Sequence, residues 1–191
     1  MRLFLVRHGE TTANVDRIFA GQVDVMLTEA GRQQAIAIRP VLADFTFDKV
    51  YTSDLTRAIE TQQLALPGAV STPTPLLREF DEGNLLGMKF EEAFQRYGKD
   101  FYVTRDYRPF HGETADIACA RLREFLDMLE KDPCDNVIAF SHNGMMACML
   151  RLVLNAPCDL SAMKSPNCSI QVFEFNGDQW RLVAWNYMGK L

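Results

Sequence analysis

The stretch "MRLFLVRHGE" (residues 1–10) opens the chain with an apolar run that stops at an arginine, a histidine and a glycine. The unbroken apolar run predicts a strand from Met1 to Val6 that is buried on both faces, as in a parallel sheet. Arg7 and His8 then fall just beyond the carboxyl end of this strand, where open α/β sheets bind their ligands. Two side chains that can carry positive charge at such a place indicate an anionic ligand.

The rest of the chain alternates strands with helices. Short apolar runs predict two more buried strands, "KVYTS" (49–53) and "NVIAFS" (136–141), each followed by a helical pattern. We predict helices over 28–44 with Thr28 as N-cap, over 53–66 with Ser53 or Asp54 as N-cap, and over 90–97, 115–131 and 144–155. The segments "SIQVFEFN" and "WRLVAWN" predict a hairpin. This order of elements predicts an α/β fold with a mainly parallel sheet and an antiparallel edge.

The length and charge of the chain limit its organisation. With 191 residues, of which 48% are hydrophobic, the chain can form a single domain with a full core, and we assign all of residues 1–191 to it. The less regular stretch at about 79–115 is predicted to be a cap-like insertion over one end of the sheet. The net charge of -5 argues against nucleic-acid binding, which needs a basic face.

The cellular setting is predicted from apolar runs and cysteines. No apolar run reaches the roughly 20 residues that span a bilayer, and "RLFLV" followed by "RHGE" is unlike a signal peptide. The five cysteines (119, 134, 148, 158 and 168) contain no CxxC pair, and their odd number favours reduced thiols. We therefore expect a cytoplasmic protein that does not engage a membrane.

Polar side chains also follow the other predicted strands. Asp54 and Arg57 follow the strand at 49–53, and Arg78 and Glu79 follow the extended segment "TPTPLL" (72–77). The strand at 136–141 is followed by His142, Asn143 and Gly144. Parallel strands end at one edge of the sheet, so these groups should converge with Arg7 and His8. The groups that follow the strands at 49–53 and 136–141 lie where predicted helices begin, and the free backbone N–H groups of a helix start favour an anion. A phosphate fits such a rim.

The residue types at this rim indicate phosphoryl transfer. Arginine presents a permanently charged fork that matches phosphate oxygens, and two arginines would neutralise the charge that develops during transfer. A neutral histidine is a competent nucleophile, and a second histidine, when protonated, can donate to a phosphate oxygen. A carboxylic acid nearby can protonate the leaving alcohol, after which the carboxylate can activate water.

Five motifs in order along residues 1–145 resemble the histidine phosphatase superfamily, which includes the cofactor-dependent phosphoglycerate mutases. They are "LVRHGETTAN" (5–14), "GQVDVMLTEAGRQQA" (21–35), "YTSDLTRAIETQQ" (51–63), "LREFDEGNLLG" (77–87) with "HGETADIACARL" (111–122), and "SHNG" (141–144). The resemblance implies a three-layer α/β/α sandwich of the phosphoglycerate mutase type. The fourth motif departs from many members in having Leu85 and Leu86 where Trp and Glu are common.

The resemblance also implies residue roles. His8 would be the nucleophile that becomes phosphohistidine, Glu79 the proton donor, and Arg7, Arg57 and His142 the rest of the phosphate pocket. The other substrate-binding positions implied are Asn14, Gln22, Asn143 and the backbone N–H groups near Gly21 and Gly144. No metal and no cofactor are expected, because the arginines and histidines supply the positive charge.

Three side chains compete with these assignments. Asp81 and Glu82 lie close to Glu79 in sequence, but the motif favours Glu79 as the acid. Glu113 is interpreted as structural, holding an arginine or a helix N-terminus. His111 is interpreted as a loop residue at the rim of the insertion, with substrate contact as the alternative.

Hydrolysis is the favoured reaction, with a small phosphorylated metabolite as substrate and inorganic phosphate as product. Mutases of this family carry a longer insertion and tail, although mutase activity and α-ribazole phosphatase activity stay open as alternatives. No cysteine is followed six positions later by arginine, and no GxxxxGK[ST] is present, which argues against cysteine phosphatases and P-loop enzymes. A non-catalytic binding module is disfavoured because nucleophile and acid are both present.

The 79–115 insertion is predicted to line the substrate pocket. It is rich in aromatic and apolar side chains and carries a few cations: Phe80, Leu85, Leu86, Phe90, Phe101, Tyr102, Tyr107 and Phe110, with Lys89, Arg105 and Arg108. This composition favours an organic group larger than glycerate.

Overall fold

A computed structural model describes residues 1–155 and 165–187. The strands are β1 (Arg2–Arg7), β2 (Lys49–Ser53), β3 (Thr72–Thr74), β4 (Asn136–Ser141), β5 (Ile170–Phe175) and β6 (Trp180–Ala184). The helices are α1 (Thr12–Asp16), α2 (Glu29–Ala37), α3 (Arg39–Ala43), α4 (Thr56–Ala65), α5 (Phe90–Tyr97), α6 (Asp100–Thr104), α7 (Ala115–Lys131) and α8 (Asn143–Leu154).

The strands form one six-stranded sheet in the order β3-β2-β4-β1-β5-β6. β3, β2, β4 and β1 are parallel to one another, whereas β5 runs antiparallel to β1 and pairs with β6 as a hairpin. The predicted mainly parallel sheet with an antiparallel edge is thus confirmed.

Helices cover both faces of this sheet. In β1, Leu3 and Leu5 pack into a core shared with α7 and α8, while Phe4 and Val6 pack on the opposite face with Leu42 of α3 and other apolar groups. This alternation explains why β1 reads as an unbroken apolar run, because both of its faces are buried. The molecule is therefore the expected three-layer sandwich.

The helix predicted over 28–44 is divided into α2 and α3. Thr28 caps α2 as predicted, since its Oγ1 accepts from the Gly31 N–H at 3.0 Å. The regular pattern stops at Ile38, and α3 follows with Pro40 in its first turn. Proline lacks an N–H and clashes with the preceding turn, so it is tolerated only at a helix start.

The predicted cap of α4 is wrong. The N-cap residue is Leu55, which offers no side-chain acceptor, and α4 starts at Thr56. The carboxylate of Asp24, from a distant loop, accepts from the Thr56 N–H at 2.8 Å instead. Ser53 and Asp54 are engaged elsewhere, in contacts with His142 and Arg78.

The 79–115 stretch contains α5 where it was predicted and also the short α6, which was not. α6 ends at Arg105 in a left-handed conformation with φ of 54°. Its designation as a cap-like insertion stays a prediction. No helix among the described residues has both the length and the apolarity needed to cross a membrane. Four cysteines, 119, 134, 148 and 168, are free thiols, and Cys158 lies outside the described residues.

Candidate active site

The register of the sheet brings the two histidines together. Arg7 at the end of β1 lies opposite Ser141 at the end of β4, so the residues that follow, His8 and His142, emerge side by side. Their ring centroids are 5.2 Å apart. Because β5 runs antiparallel, the segment before it (residues 165–169) starts at this same rim. The site is therefore built from strand ends on one side and this segment on the other.

His8 is held as a neutral imidazole of one tautomer. Its Nδ1 lies 2.7 Å from the Gly9 carbonyl oxygen, which can only accept, so the proton is on Nδ1 and Nε2 keeps a free lone pair. Only 5% of His8 is exposed. Burial, together with the nearby guanidinium groups of Arg57 and Arg7, holds the pKa of His8 well below its ordinary value. An uncharged nitrogen is what nucleophilic attack requires.

Backbone contacts fix the position of His8. The Gly9 N–H donates to Thr61 Oγ1 at 3.0 Å, and Asn167 Nδ2 donates to the His8 carbonyl at 3.0 Å. A Cβ placed on Gly9 would lie 2.5 Å from the Gly31 carbonyl oxygen, so the close approach of these two chain segments requires glycine. The glycine of "RHG" is therefore required for the close packing beside His8.

The two predicted phosphate-binding arginines both line the cavity beside His8. Arg7 donates through Nη1 to the Ser165 carbonyl at 2.5 Å, and its buried Nε has no hydrogen-bond partner among the described residues. Arg57, almost fully buried, donates through Nη1 to Val23 O at 2.9 Å and through Nη2 to Gly21 O at 2.8 Å. No acidic side chain neutralises either guanidinium by direct pairing within the described ranges, so both charges are available to an anion.

His142 lies behind this wall, with no exposed surface. Arg57 Nε donates to its Nδ1 at 3.2 Å, so His142 carries its proton on Nε2, which lies 2.9 Å from Ser53 Oγ. Burial and the Arg57 charge hold the pKa of His142 well below its ordinary value. In this arrangement His142 is neutral and positions Arg57. Donation to a phosphate oxygen, expected from a protonated ring, would require exchange of these contacts.

Glu79, the expected acid, lines the cavity at the N-terminus of α8. Its Oε2 accepts from the Gly144 N–H at 3.1 Å and its Oε1 from the Phe80 N–H at 3.0 Å. A Cβ on Gly144 would overlap Glu79 Oε1 and the Phe80 ring. The glycine of "SHNG" therefore makes room for this carboxyl group.

An arginine that the sequence analysis did not single out holds the acid segment. Arg121 on α7 donates to the carbonyls of Arg78 and Glu79, at 2.8 and 3.3 Å, and pairs with Glu113 at 2.8 Å. Glu113 also accepts from the Asp81 N–H at 3.0 Å, which fits the structural role predicted for it. Arg78 forms a bidentate ion pair with Asp54 and does not reach the cavity wall.

Three predicted substrate-binding positions are used differently. The Gly21 N–H donates to Glu82 Oε2 at 2.7 Å and the Gly144 N–H donates to Glu79, so both amides bind carboxyl groups. Gln22 does not line the cavity, because its amide donates to the Glu79 carbonyl at 3.0 Å. These three positions shape the acid side of the site.

Asn14 and Asn143, both predicted to bind substrate, line the cavity. Asn14 Oδ1 accepts from the Thr11 N–H at 3.1 Å and from Asn167 at 3.2 Å, which leaves its amide N–H groups for a ligand. Asn143 Oδ1 accepts from the Ser165 N–H at 3.3 Å. His111 is exposed and lies outside this wall.

The resulting cavity has a volume of about 430 Å³. Its wall combines the rim residues already described with the predicted insertion and the segment before β5: Arg7, His8, Thr11, Asn14, Ile18, Ala20, Gly21, Arg57, Glu79, Glu82, Phe90, Tyr102, Arg105, Asn143, Gly144, Ser165 and Pro166. Of the insertion's predicted aromatic and cationic lining, only Phe90, Tyr102 and Arg105 reach the cavity. Phe80, Leu85, Phe101 and Tyr107 are buried in the core, and Lys89 and Arg108 are exposed.

No group of three or more His, Cys, Asp or Glu side chains within residues 1–155 and 165–187 is arranged to hold a metal ion.

The family model of the "Histidine phosphatase superfamily (branch 1)" matches residues 3–188. The chain belongs to the histidine phosphatase superfamily. The resemblance drawn from its motifs is thereby confirmed.

Curated relatives in this superfamily include both phosphatases and mutases. The chain is 32% identical to an adenosylcobalamin/alpha-ribazole phosphatase of Salmonella typhimurium, over 82% of this chain and 81% of the relative. It is 31% identical to a 2,3-bisphosphoglycerate-dependent phosphoglycerate mutase of Gloeobacter violaceus, over 92% of this chain and 86% of the relative.

A solved structure shares the fold over nearly the whole chain. The mycobacterial glucosyl-3-phosphoglycerate phosphatase in complex with VO3 has a TM-score of 0.89 and 27% identity, covering 98% of this chain and 99% of that one. Together these relatives support a phosphatase or mutase activity for this histidine phosphatase.

Proposed function

We propose that this protein is a metal-independent phosphatase that hydrolyses small phosphomonoesters through a phosphohistidine on His8. The observation that carries the proposal is the state of His8. Its ring is buried and its proton is fixed on Nδ1 by Gly9, which leaves Nε2 unprotonated, and His8 lines a cavity that Arg7 and Arg57 also line. A neutral nucleophile beside two guanidinium groups suits attack on a phosphoryl group.

The reaction proceeds in two transfers at His8. In the first, the Nε2 lone pair attacks phosphorus and the ester P–O bond breaks, while Glu79 gives its proton to the leaving alcohol oxygen. Arg7 and Arg57 bind the phosphoryl oxygens and neutralise the charge in the transition state. In the second, Glu79 takes a proton from water, whose oxygen attacks phosphorus, the P–N bond breaks, and inorganic phosphate leaves.

The mutase alternative differs only in the acceptor of the second transfer. The similarity to a phosphoglycerate mutase supports it, whereas the alpha-ribazole phosphatase and the glucosyl-3-phosphoglycerate phosphatase support hydrolysis. Asn14 lines the cavity and is exposed, so the cavity reaches solvent at this residue, which favours water as acceptor. The cytoplasmic location belongs to the proposal, as does the small phosphorylated metabolite that serves as substrate.

The proposal is tested by measuring phosphate release from p-nitrophenyl phosphate and a panel of small phosphomonoesters in EDTA. The wild type is expected to turn over, and His8→Ala to lose activity. His111→Ala, which changes an exposed histidine outside the cavity, is the matched control and should keep it. Release that needs added metal, or that survives in His8→Ala, would contradict the proposal. Interconversion of 3- and 2-phosphoglycerate without phosphate release would favour the mutase.

A further inference from the structure

One cation in the cavity wall is not needed for the scissile phosphate. Arg105 lies on the insertion side of the cavity, at the end of α6, and only 5% of it is exposed. No carboxylate of the described residues forms an ion pair with it, and its buried Nε has no hydrogen-bond partner there. A buried guanidinium without an anion is costly, which indicates that a ligand supplies the missing charge.

Arg105 is held firmly in this position. Its guanidinium carbon lies 4.1 Å from the centroid of the Tyr102 ring and 5.9 Å from that of Phe80. Its Nη1 donates to the Tyr107 hydroxyl at 3.0 Å. The left-handed backbone at Arg105, unfavourable for a side chain with a Cβ, is what turns this residue back from α6 into the wall. Two ring contacts and one hydrogen bond thus preorganise the guanidinium without neutralising it.

The acid opposite does not cancel the charge of Arg105. Glu82 lines the same cavity with 8% exposure, and its Oε2 accepts from the Gly21 N–H. Burial raises the pKa of Glu82 to about 8, so this carboxyl group is neutral at neutral pH. The cavity then presents three guanidinium groups. Two of them suit the scissile phosphoryl group, and the third has no counterpart in a simple monoester.

We infer that Arg105 binds a second oxyanionic group on the alcohol part of the substrate. This inference rests on the proposed phosphatase function and names its substrate class: phosphomonoesters whose alcohol also carries a carboxylate or a second phosphate. The cavity of about 430 Å³ has room for a phosphoryl group and a small organic acid. Tyr102 and Phe90 supply an apolar surface for the carbon chain between the two anions.

The experiment compares pairs of esters that differ in the second anion. Carboxylate pairs are 3-phosphoglycerate with glycerol 3-phosphate, and phosphoserine with phosphoethanolamine. The pair for a second phosphate is fructose 1,6-bisphosphate with fructose 1-phosphate. The wild type should prefer the anionic member of at least one pair in kcat/KM by about 10- to 100-fold, the range expected for a hydrogen-bonded charge. The pair that shows the preference identifies the kind of anion.

Variants of Arg105 assign the preference. In Arg105→Gln the ratio between pair members should fall to near one, and in Arg105→Lys it should fall partway, because lysine keeps the charge but loses the fork. Tyr107→Phe, which removes the hydroxyl that holds Nη1, should reduce the ratio less than Arg105→Gln. Arg181→Met, an exposed arginine on β6, is the matched control and should keep the wild-type ratio.

Calorimetry also measures the Kd of each member of the same pairs for the His8→Ala variant, so that the inference is tested without turnover. Tighter binding of the anionic member that depends on Arg105 would support the inference even if the phosphatase proposal failed. If p-nitrophenyl phosphate is hydrolysed but neither kcat/KM nor Kd distinguishes the members of any pair, the inference alone is wrong. Equal loss for both members in Arg105→Gln would mean that Arg105 only supports the wall.

Discussion

The burial of Glu82 predicts how the stability of the protein depends on pH. The folded state raises the pKa of Glu82 from an ordinary 4.5 to about 8. The unfolded chain therefore releases this proton near pH 4.5, while the folded protein retains it until about pH 8. Across that interval the unfolded state binds fewer protons, so the folding free energy becomes less favourable by at most about 1.4 kcal/mol per pH unit.

Glu82→Gln removes this dependence with little change in shape. The glutamine carbonyl can still accept from the Gly21 N–H, as Glu82 Oε2 does. The stability of Glu82→Gln minus that of the wild type should therefore rise by roughly 3 kcal/mol between pH 5.5 and pH 7.5 and level off above pH 8. Urea unfolding at steps of half a pH unit measures this difference.

Glu124→Gln is the control for this experiment. Glu124 is exposed on α7, so its substitution should leave the pH dependence of stability as in the wild type. If the curves for Glu82→Gln and the wild type stay parallel from pH 5.5 to pH 8.5, Glu82 does not hold a proton at neutral pH. The reasoning that leaves Arg105 without a neutralising acid would then be refuted.

Three further substitutions or conditions test the site. Gly144→Ala should displace the carboxyl group of Glu79 and lower kcat by about tenfold or more, with the fold intact by circular dichroism; unchanged kcat would show that this carboxyl position is not required. Arg121→Met should destabilise the protein by roughly 3 kcal/mol in urea, because it leaves Glu113 and several carbonyls unpaired; a loss under 1 kcal/mol would refute that role. Because burial and the nearby arginines hold the pKa of His8 low, kcat/KM should persist in mildly acidic buffer. A steep loss between pH 7 and pH 6 would contradict a neutral His8.

Much of the scaffold could be predicted because its signals are local. The apolar run of β1, the helical spacing of α7 and the alternation of β5 and β6 each depend on a few adjacent residues. The cap of α4 could not be predicted in this way, since Asp24 supplies it from more than thirty positions upstream. Pro40 is a local signal for the break between α2 and α3, because proline is tolerated only in the first turn of a helix.

The convergence of residues beyond the strand ends was predictable for the same reason as the strands. Residues that follow parallel strands meet at one edge, and this rule brought Arg7, His8, Arg57 and Glu79 to one cavity. It did not reach the segment before β5, although an antiparallel strand begins where parallel strands end. Ser165 and its neighbours lie at the rim for this reason.

Burial of charged groups was the feature that sequence could not supply. Arg121 carried a weak signal, because it shares a helical stripe with the apolar Ala118 and Phe125 on α7. Glu82 and Arg105 carried none that separates them from exposed neighbours, since their burial depends on how the 79–115 stretch folds over the rim. Their roles emerge only from three-dimensional packing.

The most direct test of the account is to trap the covalent intermediate. The enzyme is mixed with an excess of a phosphomonoester that it hydrolyses, and the reaction is quenched in alkali, where phosphohistidine survives. The protein is then digested for mass spectrometry, and ³¹P NMR identifies the phosphorylated nitrogen. One phosphoryl group is expected on Nε2 of His8, absent from His8→Ala and retained in His111→Ala. Phosphate on another residue, on Nδ1, or no trapped phosphate during rapid turnover would contradict it.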